Sequence, residues 1–210
     1  MAIIGAELIF NLPSKLGNVW KYLFIIPMIV PFTVSILIWG FIYNPYLGVL
    51  NQFLSIIGLG NFTLPWLGSS NTVLYAVALV GFPFMGTLQF LIILSSLQSI
   101  DSSILDASRI DGASILKRIF RIDLPLIMDK IILAIMLTVI GDFQAFTNFF
   151  ILTGGGPGTS SLVPALYLYD AAFQRGALGY ACTIGVILAI ISLAIIFVIQ
   201  KVEPKSNYIT

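Results

Sequence analysis

Residues 106–125 read D-A-S-R-I-D-G-A-S-I-L-K-R-I-F-R-I-D-L-P, the longest polar passage of an otherwise oily chain. Between Asp101 and Lys130 lie five of the ten basic residues (Arg109, Lys117, Arg118, Arg121, Lys130) and five of the nine acids. The local chemistry predicts two short helices. Ser103, with Asp106 three residues on, fits a helix start at which both side chains satisfy free backbone N–H groups. Gly112 can take a positive φ or admit another surface, and so reads as the joint. Beyond it, Leu116, Ile119 and Phe120 recur at helical spacing on one face, with Lys117, Arg118 and Arg121 on the other. Pro125 is expected to disfavour helix at Leu124 and to force a new direction there. The stretch is predicted to be a helical hairpin outside the membrane.

The composition around it bounds the class. Of 210 residues, 59% are hydrophobic and 9% charged, with a mean hydropathy of +1.04. That pattern predicts an all-α polytopic membrane protein. There is no histidine, which removes histidine metal sites and histidine catalysis. The single cysteine, Cys182, cannot form an internal disulfide. No paired-carboxylate, metal or nucleophile constellation stands out, and no cofactor or nucleic-acid partner is expected. Thr153–Thr159, T-G-G-G-P-G-T, superficially resembles a phosphate loop but lacks the Lys-Ser/Thr ending. It reads as a turn at the membrane edge.

About four spans are predicted, at roughly 22–43, 72–97, 131–152 and 177–199, in a single transmembrane domain covering 1–210. Loop 98–130 joins the second to the third. A helix of about 20 residues crosses a hydrocarbon core of about 30 Å. Pro27 and Pro31 should bend the first span, and Gly81, Pro83 and Gly86 interrupt the second. Between these two spans, the uncharged 44–71 segment is punctuated by Pro45, Gly48, Gly58, Gly60 and Pro65, which argue for turns. Residues 1–10 are apolar apart from Glu7 and too short to span. Nine of the ten basic residues fall before the first span, in the hairpin or after the last, and only Arg175 lies opposite. The hairpin and both termini are therefore expected on the cytoplasmic side.

Asp142 is the one ionisable residue deep in an apolar stretch. A carboxylate at that depth costs several kcal/mol unless paired or hydrated, so a functional or helix-pairing role is expected. Phe143, Gln144, Phe146 and Asn148 add hydrogen-bonding groups and flat apolar faces, the mixture a pyranose needs. Packing against lipid or neighbouring helices is the plainer account of any single aromatic.

The A-x-x-x-D-G-A run, a Phe and I-x-L-P resemble the cytoplasmic signature loop of ABC-importer permeases. Ala107, Asp111, Gly112, Ala113, Phe120, Ile122, Leu124 and Pro125 match it, and the usual opening Glu-Ala-Ala stands here as Asp106-Ala107-Ser108. The T-G-G-G-P stretch, Tyr169, Ala172-Phe173, the G-Y-A of Gly179–Ala181 and L-Q-S-I-D at Leu97–Asp101 resemble the sugar-importer, maltose-type subgroup. The resemblance implies a transport subunit without its own ATPase site, in a bacterial or archaeal plasma membrane. It also implies an ABC ATPase docked on the hairpin around Ile104–Ser114, a second homologous permease, and an extracytoplasmic solute-binding protein. Family members usually carry six spans, so the chain is expected to be a partial permease in which residues 1–10 are the tail of an earlier span. Two rivals remain: an ion-coupled secondary transporter or channel using Asp142, and a non-transporting assembly subunit. Which sugar is moved, and whether the second permease is identical, are not written in this chain.

Overall fold

The computed structural model describes residues 1–84 and 86–201, and helix is the only regular structure among them. In order run α1 (Ala2–Asn11), α2 (Ser14–Ile29), α3 (Phe32–Ile42), α4 (Val49–Ile56), α5 (Val73–Ala78), α6 (Thr87–Gln98), α7 (Ser102–Ile110) and α8 (Ile115–Arg118). After the wider turn Ile119–Asp123 come α9 (Leu124–Leu126), α10 (Met128–Phe143), α11 (Thr147–Leu152), α12 (Pro164–Tyr169) and α13 (Leu178–Lys201). Only α13 is long and apolar enough to cross a membrane unaided, and the other apolar stretches are broken. The 22–43 stretch breaks between Ile29 and Phe32, where Pro31 interrupts the chain. The 72–97 stretch breaks across the glycines and proline between α5 and α6, with Gly81 (φ +92°) and Gly86 (φ +72°) in the left-handed region. The polar tail, with Lys205, lies largely outside the described residues.

The chain divides into two compact units. In the first (1–26, 84–140 and 192 onward), α1 packs on α6. Ala6 and Ile9 meet Phe90, Ile93, Leu94 and Leu97 in a core completed by Ile127, Ile131 and Ala134. Phe24 stacks on Phe90 at 4.6 Å between ring centroids and meets Phe84 edge-on at 5.1 Å. Thr87 Oγ1 donates to the Phe24 carbonyl at 3.2 Å, which ties α2 to the start of α6.

The second unit (27–83 and 141–191) gathers α3, α4, α5 and α11. Gly40 lets α3 and α11 approach, since a Cβ there would stand 3.3 Å from Leu152. Turns alone were expected at 44–71, but α4 forms there, started by Asn44, whose Oδ1 accepts from Tyr46 and Leu47 N–H. Asn51 on α4 is 7% exposed and saturates its amide: Nδ2 donates to the Pro45 and Leu64 carbonyls, and Oδ1 accepts from Trp66 Nε1 at 2.7 Å. One buried amide thereby holds the segment closed. The Thr153–Thr159 stretch is indeed a turn, with Gly154, Gly155 and Gly158 at positive φ. It is pinned by the fully buried Ser161, whose Oγ lies 2.7 Å from Thr153 Oγ1 and donates to the Gly156 carbonyl.

Candidate functional site

The hairpin forms, with a different start from the one its sequence suggests. Asp101, not Ser103, is the cap of α7: its side chain accepts from the Ser103 N–H at 2.8 Å. That hydrogen bond stabilises the carboxylate and holds Asp101 below the ordinary aspartate range. Asp106 instead pairs with Arg109 one turn on, at 2.9 Å, on an exposed face where such a pair contributes little. α6 and α7 meet at 71°, so the charged helix leaves the line of the apolar one.

α7 ends in two bonds across Gly112. Gly112 N–H donates to the Arg109 carbonyl and Ala113 N–H to the Ser108 carbonyl, both at 3.0 Å. These are the two bonds of a Schellman closure, and Gly112 sits in it at φ +68°. A Cβ on Gly112 would meet nothing within 4 Å, so the backbone, not crowding, asks for glycine.

The second limb begins at Ser114, whose Oγ accepts from Lys117 N–H. It then widens. Over Ile119–Asp123 the bonds run to the fifth residue back, as in Leu124 N–H to the Ile119 carbonyl. Leu124 therefore keeps helical angles (φ −62°, ψ −43°) although Pro125 follows, contrary to expectation. The change of direction comes at Ile127, where the limb meets α10 at 76°.

Of the residues matched to the signature, Asp106, Ala107, Asp111, Gly112, Phe120 and Pro125 are exposed, Ala113, Ile122 and Leu124 are half-buried, and Ser108 is buried. Ser108 Oγ turns back onto the Leu105 carbonyl at 2.6 Å. Around them stand bare apolar side chains: Ile110 is 86% exposed, Phe120 70% and Leu116 68%. Large apolar groups set among Arg109, Lys117 and Arg121 are what a docking surface presents. Leu116 and Phe120 do share the open side, while Ile119 is half-buried.

Pattern reading missed Arg118 and Asp123. It assigned Arg118 to the polar face, yet the residue is 7% exposed and its Nε donates to Asp123 Oδ2 at 2.9 Å. Asp123 is fully buried. The signal was obscured because the two stand five apart, which are neighbours only on the widened turn.

In the second unit, α10 ends at Phe143 and helix resumes at Thr147, so the 142–148 group straddles a break. Asp142 and Gln144 are exposed, without a side-chain partner among the described residues. Phe143, Phe146 and Asn148 are half-buried, and Asn148 Oδ1 is a buried acceptor with no partner. Phe146 stacks on Phe150 at 5.1 Å and meets Tyr169 at 4.9 Å; Tyr169 also meets Phe150 and Phe173, each at 5.1 Å. The aromatics of the group thus join Tyr169, while Asp142 and Gln144 do not. Phe150, an unremarked member, completes the stack. Among the described residues no group of three or more His, Cys, Asp or Glu could hold a metal.

A profile of the family described as "Binding-protein-dependent transport system inner membrane component" matches residues 1–207. The chain is 37% identical over 194 residues to the "Probable ABC transporter permease protein YurN" of Bacillus subtilis, covering 92% of itself and 66% of that protein. It is 29% identical to the "Sulfoquinovosyl glycerol transport system permease protein SmoG" of Agrobacterium fabrum, covering 95% of itself and 64% of the relative. To the "Trehalose/maltose transport system permease protein MalF" of Thermococcus litoralis it is 30% identical, covering 95% and 66%. The chain thus spans just under two thirds of the length of these relatives. A solved bacterial ABC transporter involved in the import of alginate shares the fold, with a TM-score of 0.83 at 20% identity, over 95% of this chain and 70% of that one.

Proposed function

Because the chain belongs to the family of binding-protein-dependent transport system inner membrane components, we propose that it is the transmembrane permease subunit of an ATP-binding-cassette importer for carbohydrates. The hairpin carries this reading. A charged helical elbow, closed by Gly112 and presenting Ile110, Leu116 and Phe120 to solvent, is a surface built to be covered. Its partner is a separate ATPase subunit, which supplies ATP hydrolysis; Asp106, Ala107, Ser108, Asp111, Gly112, Ala113, Phe120, Leu124 and Pro125 form or shape the contact. Closure of two such ATPases would swing the helices between inward- and outward-facing states. A second homologous permease completes the pore, and a solute-binding protein delivers substrate to the uncharged 44–71 side.

The stretches 22–43, 72–97, 131–152 and 177–199 are the spans, broken where glycine and proline demand it, and 98–130 faces the cytoplasm with the basic residues. A sugar substrate is supported by the names of the relatives and by the stack of Phe146, Phe150, Tyr169 and Phe173, which offers flat apolar faces. An ion-coupled transporter built on Asp142 would leave the exposed hairpin without a purpose. Purification of the chain from its native membrane should bring down an ATPase and a second permease. A preparation that imports solute on an ion gradient, with neither partner present, would overturn the proposal.

A further inference from the structure

Arg118 belongs to the second limb of the hairpin, yet one of its hydrogen bonds leaves the hairpin altogether. Besides Asp123, its Nη2 donates to Asn11 Oδ1, on the last residue of α1 and 107 positions away in the chain. The Phe10 ring lies 5.6 Å beneath the guanidinium. Asn11 is fixed in turn, since its Nδ2 donates to the Glu7 carbonyl at 2.8 Å and reaches Glu7 Oε2 at 3.4 Å. Glu7, Arg118 and Asp123 are each at least nine-tenths buried.

A buried ionic cluster is a poor way to gain stability, because removing the charges from water offsets much of their attraction. This one also leaves Glu7 Oε1 and Asp123 Oδ1 buried without partners. What a planar guanidinium held at two edges does supply is orientation. The limb carrying Phe120 is thereby locked in angle to α1, and α1 is locked onto α6 through Ala6 and Ile9. A rigid path of named contacts runs from the exposed hairpin into the apolar helices.

We propose that Arg118 is a positioning residue for transport: with Asp123 and Asn11 it forms the joint that carries hairpin displacement into α1. This rests on the reading of the hairpin as the ATPase-docking element. Spin labels at Lys117→Cys and Leu8→Cys, both exposed positions, report the joint from its two sides in a Cys182→Ala background. The distance between them is measured in the purified complex of the chain, its second permease and its ATPase, first without nucleotide and then trapped with ADP and vanadate. The wild-type joint is expected to give one narrow distance, the same in both states. Arg118→Lys keeps the charge but loses the fork. It should match wild type without nucleotide, then shift or broaden on trapping, with ATP hydrolysed per sugar imported rising about tenfold or less.

A wild-type distance that changes on trapping overturns the joint. So does an Arg118→Lys distribution identical to wild type in both states, or altered equally in both, as loss of a merely structural contact would give. The neutral pair Arg118→Met with Asp123→Leu guards against misfolding from an unpaired carboxylate and is expected to show the same trapping-dependent shift. Failure of the ATPase to associate with the wild-type chain would instead remove the docking reading, and the joint with it.

Discussion

Ala113 donates its backbone N–H to the carbonyl of Ser108 at 3.0 Å, folding the chain back over Gly112 at φ +68°. Two demands therefore meet at this glycine: a left-handed backbone, and an open flank on the face that docking would cover. They separate by substitution. Gly112→Asn tolerates the backbone, whereas Gly112→Leu adds about 1–2 kcal/mol of local strain together with bulk. Both are expected to insert normally. Pull-down of the ATPase should weaken strongly for Gly112→Leu, with uptake falling in step, and less for Gly112→Asn. Wild-type binding and uptake by Gly112→Leu would reduce the hairpin to a connector.

The cap of α7 is sensitive to acid. Asp101 has its carboxyl lowered by the Ser103 N–H, so its contribution is present above the unfolded aspartate value and is lost as pH falls through the folded one. Amide exchange at Ser103, Ile104 and Leu105, corrected for the intrinsic rate, should accelerate in that acid window. Asp101→Asn, which caps without a titrating group, should flatten the response. A wild-type profile as flat as the variant's would count against the cap.

Sidedness can be read with thiol reagents in a Cys182→Ala background. Ser102→Cys, at an exposed position of α7, should label only from the cytoplasm, and Ser70→Cys only from outside. Ser70 reports better than Ser69, which is half-buried. External labelling at position 102 would invert the topology and remove ATP-driven docking at once.

Asp142 is exposed and lacks a side-chain partner among the described residues, in a stretch where facing lipid would be costly. Its carboxylate is expected to face the translocation path or the second permease. Asp142→Asn should alter transport while membrane insertion stays intact. Unimpaired import of every tested sugar by Asp142→Leu would discard the idea.

The helical class and the hairpin were legible because they rest on short-range rules: apolar length, charge placement, and a glycine where a helix must stop. Four features were hidden for specific reasons. Helix α4 lay in a segment whose glycines and prolines signal turns, and its buried Asn51 gathers partners from Pro45, Leu64 and Trp66, up to 15 positions off. Asp101 lost the cap to Ser103 in a reading that favoured the hydroxyl with an acid three residues on. Pro125 was expected to stop the helix at Leu124, but the widened turn before it absorbs the missing donor. The bond from Arg118 to Asn11 spans most of the chain, and no periodicity carries such information. The grouping of Phe146 with Phe150 and Tyr169 likewise depends on tertiary packing.

The wide turn at Ile119–Asp123 has a bearing on grafting. It holds one residue more per turn than an α-helix, so it is a phase shift written into the chain. Deleting any single residue there would restore the ordinary winding. Every side chain beyond it would then point about 100° round the axis from its present direction. Arg118 and Asp123 would part, although neither had been changed. A hairpin transplanted between relatives must carry this extra residue along with the signature, or the right residues will arrive facing the wrong way.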